Sequence, residues 1–233
     1  MANVQPSVDF FLGELQSIEK AFNKDLTKLA TQLKSATETE LINATRQLNL
    51  LQELLDAGLT DALDGFDGEY TKMLSLAIKE AEKRGLPALS GASVEGLEVL
   101  RDLNYQRLLG QFGKYAKDLE IGLFRGIYAN QSISNITSSL ENIKLLSHQL
   151  NLIVYDGIKI FDDMARKKVF EGLDVKWIYL GADDEVTRDA CKATLRDDRN
   201  SPSKGFTQNE VENLKTPFGI RGGFNCRHSW EIV

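Results

Sequence analysis

Two cysteines and one histidine near the end of the chain are the residues whose types and spacing suit chemistry. Cys226 and His228 stand two positions apart, and residues two apart on a strand share a face. If that strand packs against a helix that carries Cys191, the three side chains meet. Two thiolates and an imidazole, completed by water or a carboxylate, are a ligand set that holds Zn²⁺.

Other interpretations of these three residues stay open at this point. A Cys191–Cys226 disulfide is one alternative. Two small buried thiols, with a single structural hydrogen bond from His228, are another. The C-x-x-C pairs that are typical of structural zinc sites are missing from the sequence. We therefore expect buried thiols and no metal or other cofactor, with Cys191, Cys226 and His228 as the candidate ligands if a metal is bound.

The elements that must position these side chains lie within the last sixty residues, 174–233, which we call the C-terminal segment. Its pattern predicts a small α+β unit: a strand, a helix behind an acidic pair, an exposed polar loop, a short capped helix, a glycine turn and a final strand. The first strand is Val175–Leu180, the acidic pair is Asp183 with Asp184, and the polar loop is Asp197–Gly205. The short helix begins at Thr207 with Glu210, the glycine turn is Gly222–Gly223, and the final strand is Phe224–Val233. The acidic pair suits a helix N-terminus, and Thr207 with Glu210 forms a capping-box pattern.

The order of residues in the C-terminal segment resembles the signature of a known family. It reads W-x-Y-x-G-x-x-D-x-x-T-R-x-x-C, then a polar loop, then G-G-x-N-C-R-H-x-W. This is similar to the phage head morphogenesis proteins, the minor capsid proteins named after the F protein of phage Mu. The matching residues are Trp177, Tyr179, Gly181, Asp184, Thr187, Arg188, Cys191, Gly222, Gly223, Asn225, Cys226, Arg227, His228 and Trp230.

The resemblance implies a structural role and not an enzyme. It implies a virion protein of the phage head, located near the portal vertex and assembled in the host cytoplasm, in several copies per particle. Its expected partners are the portal protein and other head or neck proteins, with weak contact to packaged DNA. The expected function is head morphogenesis, extending to DNA packaging or ejection.

Two functions of other classes remain as alternatives. One is a zinc-stabilised DNA-binding module built on the C-terminal segment. The other is a Cys/His enzyme, in which Cys226 or Cys191 would act as nucleophile beside His228 and Asp183 or Asp184 would orient the imidazole. Phosphate-binding loops, dinucleotide-binding glycine motifs and metalloprotease motifs do not occur in the sequence.

The stretch before the C-terminal segment predicts a mainly α fold of long helices and helical hairpins, so we expect a helical region 1–173 and an α+β unit 174–233. Apolar residues three and four apart predict an N-terminal hairpin over 1–60 and further helices over 67–172. The same spacing fits a coiled coil with a partner. Helix caps are expected at Ser7, at Thr37 with Glu40 and at Ser132. A loop is expected over 56–68 and a linker over Leu86–Gly91. Gly110 and Gly113 are expected to interrupt a helix, and Arg166–Lys168 to form a basic solvated face.

Composition and charge narrow the classes of protein further. The net charge is −6 without a basic block, which argues against a dedicated nucleic-acid-binding face. An apolar content of 42% suffices for a core, and two cysteines in 233 residues argue against a secreted disulfide scaffold. The N-terminus lacks the pattern of a signal peptide, and no apolar run is long enough to span a bilayer. We expect a soluble protein.

Overall fold

The computed structural model describes residues 5–85, 91–146, 148–223 and 226–233. Helices dominate this part of the chain, as the sequence predicts, and a short antiparallel sheet lies near its end. The helices are α1 Gln5–Lys34, α2 Glu38–Gln47, α3 Leu50–Leu54, α4 Thr60–Lys83, α5 Gly91–Tyr128, α6 Ile133–Glu141, α7 His148–Val169, α8 Asp189–Leu195 and α9 Gln208–Glu212. The strands are β1 Trp177–Leu180 and β2 Ser229–Ile232, which pair from Trp177 opposite Ile232 to Leu180 opposite Ser229.

The predicted helix caps at Thr37, Thr207 and Ser132 are confirmed, and the one at Ser7 is wrong. Thr37 and Thr207 each form the predicted capping box, and the Ser132 hydroxyl accepts a hydrogen bond from the backbone N–H of Asn135 at 3.2 Å. Ser7 is not a cap, because α1 is already helical at Gln5. Pro6 therefore lies in the first turn, where its missing N–H costs no helical hydrogen bond.

The predicted acidic loop over 56–68 is helical instead. A wide turn, Leu55–Leu59, leads from α3 directly into α4, which runs through all but the first residues of that stretch. Gly58 makes this join feasible, because its φ of 114° lies in a region that side-chain-bearing residues rarely adopt. Asn49 caps α3, so the second predicted helix is broken in two.

The sequence predicts an interruption of α5 at Gly110 and Gly113, but close packing of a neighbouring helix occurs about three to four turns further along α5. A Cβ at Gly110 would meet nothing within 4 Å, and α5 continues through both positions. At Gly126 a Cβ would lie 2.7 Å from Ile136 of α6, and at Gly122 it would lie 3.1 Å from Leu140. The glycines that admit a neighbouring helix are therefore Gly122 and Gly126. The predicted linker Leu86–Gly91 lies outside the described residues except for Gly91, where α5 begins.

The chain divides into two compact units. The first takes in Asp67–Asn104 and Leu152–Val233, and the second takes in Ser7–Phe66 and Tyr105–Asn151. The second unit is held by apolar packing, for example a stack of Phe11 on Phe66 with ring centroids 4.3 Å apart. The predicted boundary at 173/174 stays a prediction. None of the described helices is long and apolar enough to cross a bilayer.

The first unit contains α7 from Leu152 onward and the C-terminal segment, so it contains every candidate site residue. Tyr70 of α4 packs edge-on against Phe161 of α7, with centroids 4.9 Å apart. Asn104 of α5 donates to the backbone carbonyl of Gly157 at 3.4 Å. These contacts fix α7 within the unit, and α7 in turn contacts the C-terminal segment through the buried ion pairs described below.

Candidate functional site

The structure brings Cys191, Cys226 and His228 together, and we call these three residues the thiol–imidazole cluster. The two Sγ atoms are 3.8 Å apart, and Cys226 Sγ lies 3.4 Å from His228 Nδ1. All three candidate ligand atoms fall within 4.8 Å of one another, and all three residues are buried. Both cysteines are free thiols, because 3.8 Å is far longer than a disulfide bond of about 2.05 Å.

The predicted strand over 224–233 is shorter in the structure and does not include Cys226 or His228. β2 begins at Ser229, and residues 226–228 precede it without ladder pairing. The two side chains still point to the same side. The hydrogen bond to Ala182 sets the direction of His228, and contacts with Tyr179 and Gly222 set that of Cys226, so strand alternation is not the cause. Asn225 of the resemblance lies outside the described residues.

His228 is held in one tautomer by the backbone. Its Nε2 lies 2.7 Å from the carbonyl oxygen of Ala182. Because a carbonyl oxygen only accepts, Nε2 carries the proton, and Nδ1 of the neutral ring keeps a lone pair. That lone pair faces the sulfur of Cys226.

Tyr179 covers the cluster from β1. Its ring stacks on His228 with centroids 5.2 Å apart, and its hydroxyl lies 3.2 Å from Cys226 Sγ and 3.6 Å from Cys191 Sγ. Burial and the two sulfurs raise the pKa of Tyr179, so the phenol keeps its proton and donates it towards sulfur.

The two thiols differ in acidity. Burial raises the pKa of Cys191. Burial also acts to raise the pKa of Cys226, but a hydrogen bond from Tyr179, contacts from His228 and the charge of Arg221 outweigh it and bring the value to about 6. Cys226 is therefore the more acidic of the two thiols.

The glycine pair serves two separate purposes. Gly223 has a φ of 86°, which provides the predicted turn. Gly222 instead lies against the sulfurs: a Cβ there would overlap Cys191 Sγ and come within 3.0 Å of Cys226 Sγ. The N–H of Gly222 donates to Cys226 Sγ at 3.3 Å. The backbone approaches the thiols this closely only because the residue has no side chain.

Polar residues of the two halves of the signature bind each other. Asp184 accepts two hydrogen bonds from Arg227, at 2.8 and 2.7 Å, and the hydroxyl of Thr187 lies 2.8 Å from Asp184 Oδ1. Arg188 donates to the carbonyl of Gly222 at 2.8 Å. The Arg227 hydrogen bonds hold the pKa of Asp184 below its usual range. The turn at 182–187 therefore clamps the segment around the cluster.

The acidic pair does not cap the following helix, contrary to the prediction. Asp183 accepts two hydrogen bonds from Arg196, both at 2.9 Å, and Asp184 binds Arg227. The residue at the N-cap of α8 is Arg188, whose side chain makes no capping hydrogen bond there. Both carboxylates instead bind guanidinium groups that are further away in the sequence, because a guanidinium offers two parallel N–H donors to the two carboxylate oxygens.

Both tryptophans of the signature lie in an aromatic core. Trp177 packs edge-on against Phe218 with centroids 4.7 Å apart, and Trp230 contacts Tyr179 at 4.8 Å. The indole N–H of Trp230 donates to the carbonyl of Thr216 at 2.9 Å. Tyr179, which stacks on His228, joins this aromatic core to the thiol–imidazole cluster.

Sequence reasoning missed Asn200, which lies within the predicted exposed loop. Its side chain accepts from the N–H of Tyr179 at 2.6 Å and donates to the carbonyls of Tyr179 at 2.9 Å and Leu195 at 3.1 Å. It therefore takes the place of a neighbouring strand along β1. Nothing in the polar run around Asn200 distinguishes it from the exposed residues beside it.

Sequence reasoning also missed the buried ion pairs between α7 and the C-terminal segment. Arg221 Nε lies 3.2 Å from Asp163 Oδ2, and the two side chains are 1% and 2% exposed. Burial raises the pKa of Asp163 to about 7, although the charge of Arg221 acts in the opposite direction. The backbone N–H of Trp230 also donates to Asp163.

Arg166 corrects the prediction of a basic solvated face. It is buried, with Asp162 at 3.1 Å and Glu231 of β2 at 3.2 Å. Lys167 pairs with Glu212, and Lys168 pairs with Glu171 at 2.9 Å. In the sequence, these buried pairs are indicated only by an acidic residue within the apolar stripe of α7.

A cavity of about 200 Å³ opens beside the thiol–imidazole cluster. It is lined by the three cluster residues together with Val186, Thr187, Arg188 and Arg227. The guanidinium groups at its mouth are exposed, whereas the cluster forms its inner wall. The arrangement can bind a soft metal ion, or it can present the Cys226 thiolate to a small molecule.

Comparison with known proteins gives no further assignment. No family model matches the chain. No curated protein and no solved structure is significantly similar to it.

Proposed function

We propose that this chain is a minor head protein of a phage, which acts in head morphogenesis at the portal vertex. The observation that supports the proposal is the interlocking of the two halves of the signature. Asp184 and Thr187 from the first half accept hydrogen bonds from Arg227, and Arg188 donates to the backbone carbonyl of Gly222. A signature with these contacts specifies a rigid folded unit.

The contacts of the cluster favour an architectural role. Cys226 Sγ lies within 3.4 Å of three protein groups: the hydroxyl of Tyr179, the N–H of Gly222 and Nδ1 of His228. Cys226 itself is 3% exposed. A nucleophile with this surrounding would have to break several contacts before it reached a substrate carbon.

The long helices offer a surface for a protein partner. Val99 and Leu103 stand one turn apart on α5, and they are 58% and 62% exposed. Residues four apart on a helix lie on one face, so the two side chains form a continuous apolar strip. In this proposal the strip contacts the portal protein or a neighbouring head protein, and the C-terminal segment is the rigid docking piece.

Co-purification with the portal protein of the same phage tests this role. The chain should be present in purified particles and should bind the portal ring. A Val99→Lys/Leu103→Lys variant should lose portal binding at an unchanged melting temperature. A Glu95→Gln/Gln106→Lys variant, which changes the charge of the same helix equally at exposed positions, should keep it. If wild-type chain occurs only in infected-cell lysate and never in particles, the proposal is wrong.

A Cys/His enzyme is the competing candidate, and one observation favours it. Cys226 and His228 line a cavity, and the Ala182 carbonyl orients the imidazole as a third group would in a catalytic triad. For an enzyme, Cys226→Ala should abolish turnover of a substrate while the fold persists. For the structural role, the same substitution should lower the melting temperature and remove no turnover.

A further inference from the structure

We propose that the thiol–imidazole cluster is a Zn²⁺ site, with Cys191 Sγ, Cys226 Sγ and His228 Nδ1 as its protein ligands. The ion would join α8 to the segment before β2, and these two elements are far apart in sequence. This inference goes beyond the proposed role in the phage head and does not depend on it.

Two of the three distances between the ligand atoms match the edges of a zinc tetrahedron, and all three fall within 4.8 Å. Two thiolates at about 2.3 Å from Zn²⁺ are about 3.8 Å apart in tetrahedral geometry, and a thiolate and an imidazole nitrogen are about 3.5 Å apart. The corresponding distances here are 3.8 Å between the sulfurs and 3.4 Å between Cys226 Sγ and His228 Nδ1. Hydrogen bonding among the thiols and the imidazole does not require both of these separations, whereas coordination of one shared ion does.

The atoms around the ligands are those that a zinc site uses to orient them. A zinc-bound histidine usually donates its second N–H to a backbone carbonyl or a carboxylate, and His228 donates Nε2–H to Ala182. Thiolates in zinc sites accept hydrogen bonds that offset their charge. The N–H of Gly222 and the hydroxyl of Tyr179 are placed to donate to Cys226 Sγ. Among these residues that orient the ligands, the sequence singled out only Gly222 and Tyr179.

The cavity supplies the fourth coordination position. Its inner wall is the cluster itself, and its volume of about 200 Å³ has room for several waters. We therefore assign the fourth ligand to a water molecule from this cavity. Arg188 and Arg227 at the mouth would favour a bound water that has become hydroxide, or an anion in its place.

Metal analysis of the full chain, purified under reducing conditions, tests the site. We expect one zinc per chain. After removal of the metal by a chelator, titration with Co²⁺ should give a one-to-one endpoint, with the sulfur-to-cobalt charge-transfer band and the visible bands of a tetrahedral S₂N site. This titration uses the wild-type chain, so it does not depend on whether a variant folds.

Single substitutions of the ligands sharpen the test. Cys191→Ser, Cys226→Ser and His228→Gln should each lose the one-to-one endpoint, and the cysteine variants should weaken the charge-transfer band. His148→Gln is the matched control, because His148 is the other histidine of the chain. It should bind as the wild type does.

Three results would overturn the site. The first is that reduced, metal-stripped wild-type chain binds neither Zn²⁺ nor Co²⁺. The second is that the ligand variants retain the wild-type endpoint and spectrum. The third is a Cys191–Cys226 disulfide, found by mass spectrometry in chain purified from a reducing cytoplasm. Presence or absence of the chain in phage particles has no bearing on any of them.

Discussion

The long helices and the C-terminal segment are stabilised in different ways. α1 buries an apolar side chain at almost every turn, among them Val8, Phe11, Leu15 and Phe22. The C-terminal segment instead depends on unlike contacts that each occur once, such as the Asn200 bridge along β1 and the glycine–sulfur approach at Gly222. The stripe repeats one kind of contact along the helix, whereas each contact of the C-terminal segment has no second copy.

This difference implies that substitutions have unequal effects in the two regions. In the helices, a polar change on the solvent side alters little, because the buried stripe remains. In the C-terminal segment, a polar side chain is often the one group that satisfies a buried partner. Removing it leaves that partner unsatisfied, which costs more than the contact itself contributes.

The largest expected effect comes from Asp163→Ala. It leaves the guanidinium of Arg221, 1% exposed, without its carboxylate. We expect unfolding free energy to fall by about 3–5 kcal/mol, the usual result of breaking a buried ion pair. Chemical denaturation measures the change. Asp25→Ala on α1, which breaks an exposed pair with Lys28, is the control and should have no measurable effect.

If Asp163→Ala changes stability no more than Asp25→Ala does, the buried pair does not distinguish the two regions. A double variant, Asp163→Ala/Arg221→Met, should recover part of the loss, because it removes the uncompensated charge as well.

The same aspartate predicts a dependence on pH. Burial raises the pKa of Asp163 from 3.8 to about 7, so the folded state holds this proton more tightly than the unfolded state does. Between these two values, stability contributed by the protonated group is lost as pH rises. Unfolding free energy of the wild type, relative to Asp163→Asn, should therefore fall between pH 3.8 and about pH 7. A difference that is flat or rises across this range would contradict the burial argument.

Glycine substitutions should have opposite signs in the two regions. A methyl group at Gly222 overlaps Cys191 Sγ, so Gly222→Ala should cost about 1–3 kcal/mol through overpacking. Gly65 lies within α4, and a Cβ there would meet nothing within 4 Å. Gly65→Ala should stabilise by up to about 1 kcal/mol through helix propensity. Melting curves of the two variants measure these changes in stability. Changes of the same sign in both variants would contradict the predicted difference between the two regions.

The smallest effects should come from the two capping boxes. Thr37 and Thr207 make the same hydrogen bonds to Glu40 and Glu210, in the helical region and the C-terminal segment respectively. Because a cap acts locally, Thr37→Ala and Thr207→Ala should each cost about 1 kcal/mol. A much larger loss for Thr207→Ala, measured by denaturant titration, would show that even local contacts are coupled in the C-terminal segment.

The sequence was most informative where the deciding contacts are local. Both capping boxes are confirmed, because their partners are three residues apart. The mainly α fold with a small α+β end is confirmed as well, since apolar spacing reports it directly. Gly222 was predicted as part of a turn, but its contact with sulfur was not, because the thiols come from other parts of the chain.

Two of the failed predictions, those for Asp184 and Arg166, share one physical cause. Asp184 was expected to act on the next helix, but Arg227 offered a two-donor fork from the other half of the signature. Arg166 was expected in solvent, but Glu231 and Asp162 compensate its charge in the interior. In each case a distant partner of opposite charge outweighed the local pattern, and a single sequence does not reveal such partners.

Native-state hydrogen exchange of the wild type and Cys226→Ser tests the central claim most directly. We claim that single, specific contacts around Cys226 hold the C-terminal segment together while the helices are stabilised by their own stripes. The account predicts that amides of β1, α8 and β2 lose protection in the variant, whereas amides of α1 keep theirs. Equal loss of protection in α1, or unchanged protection in the strands, would contradict it.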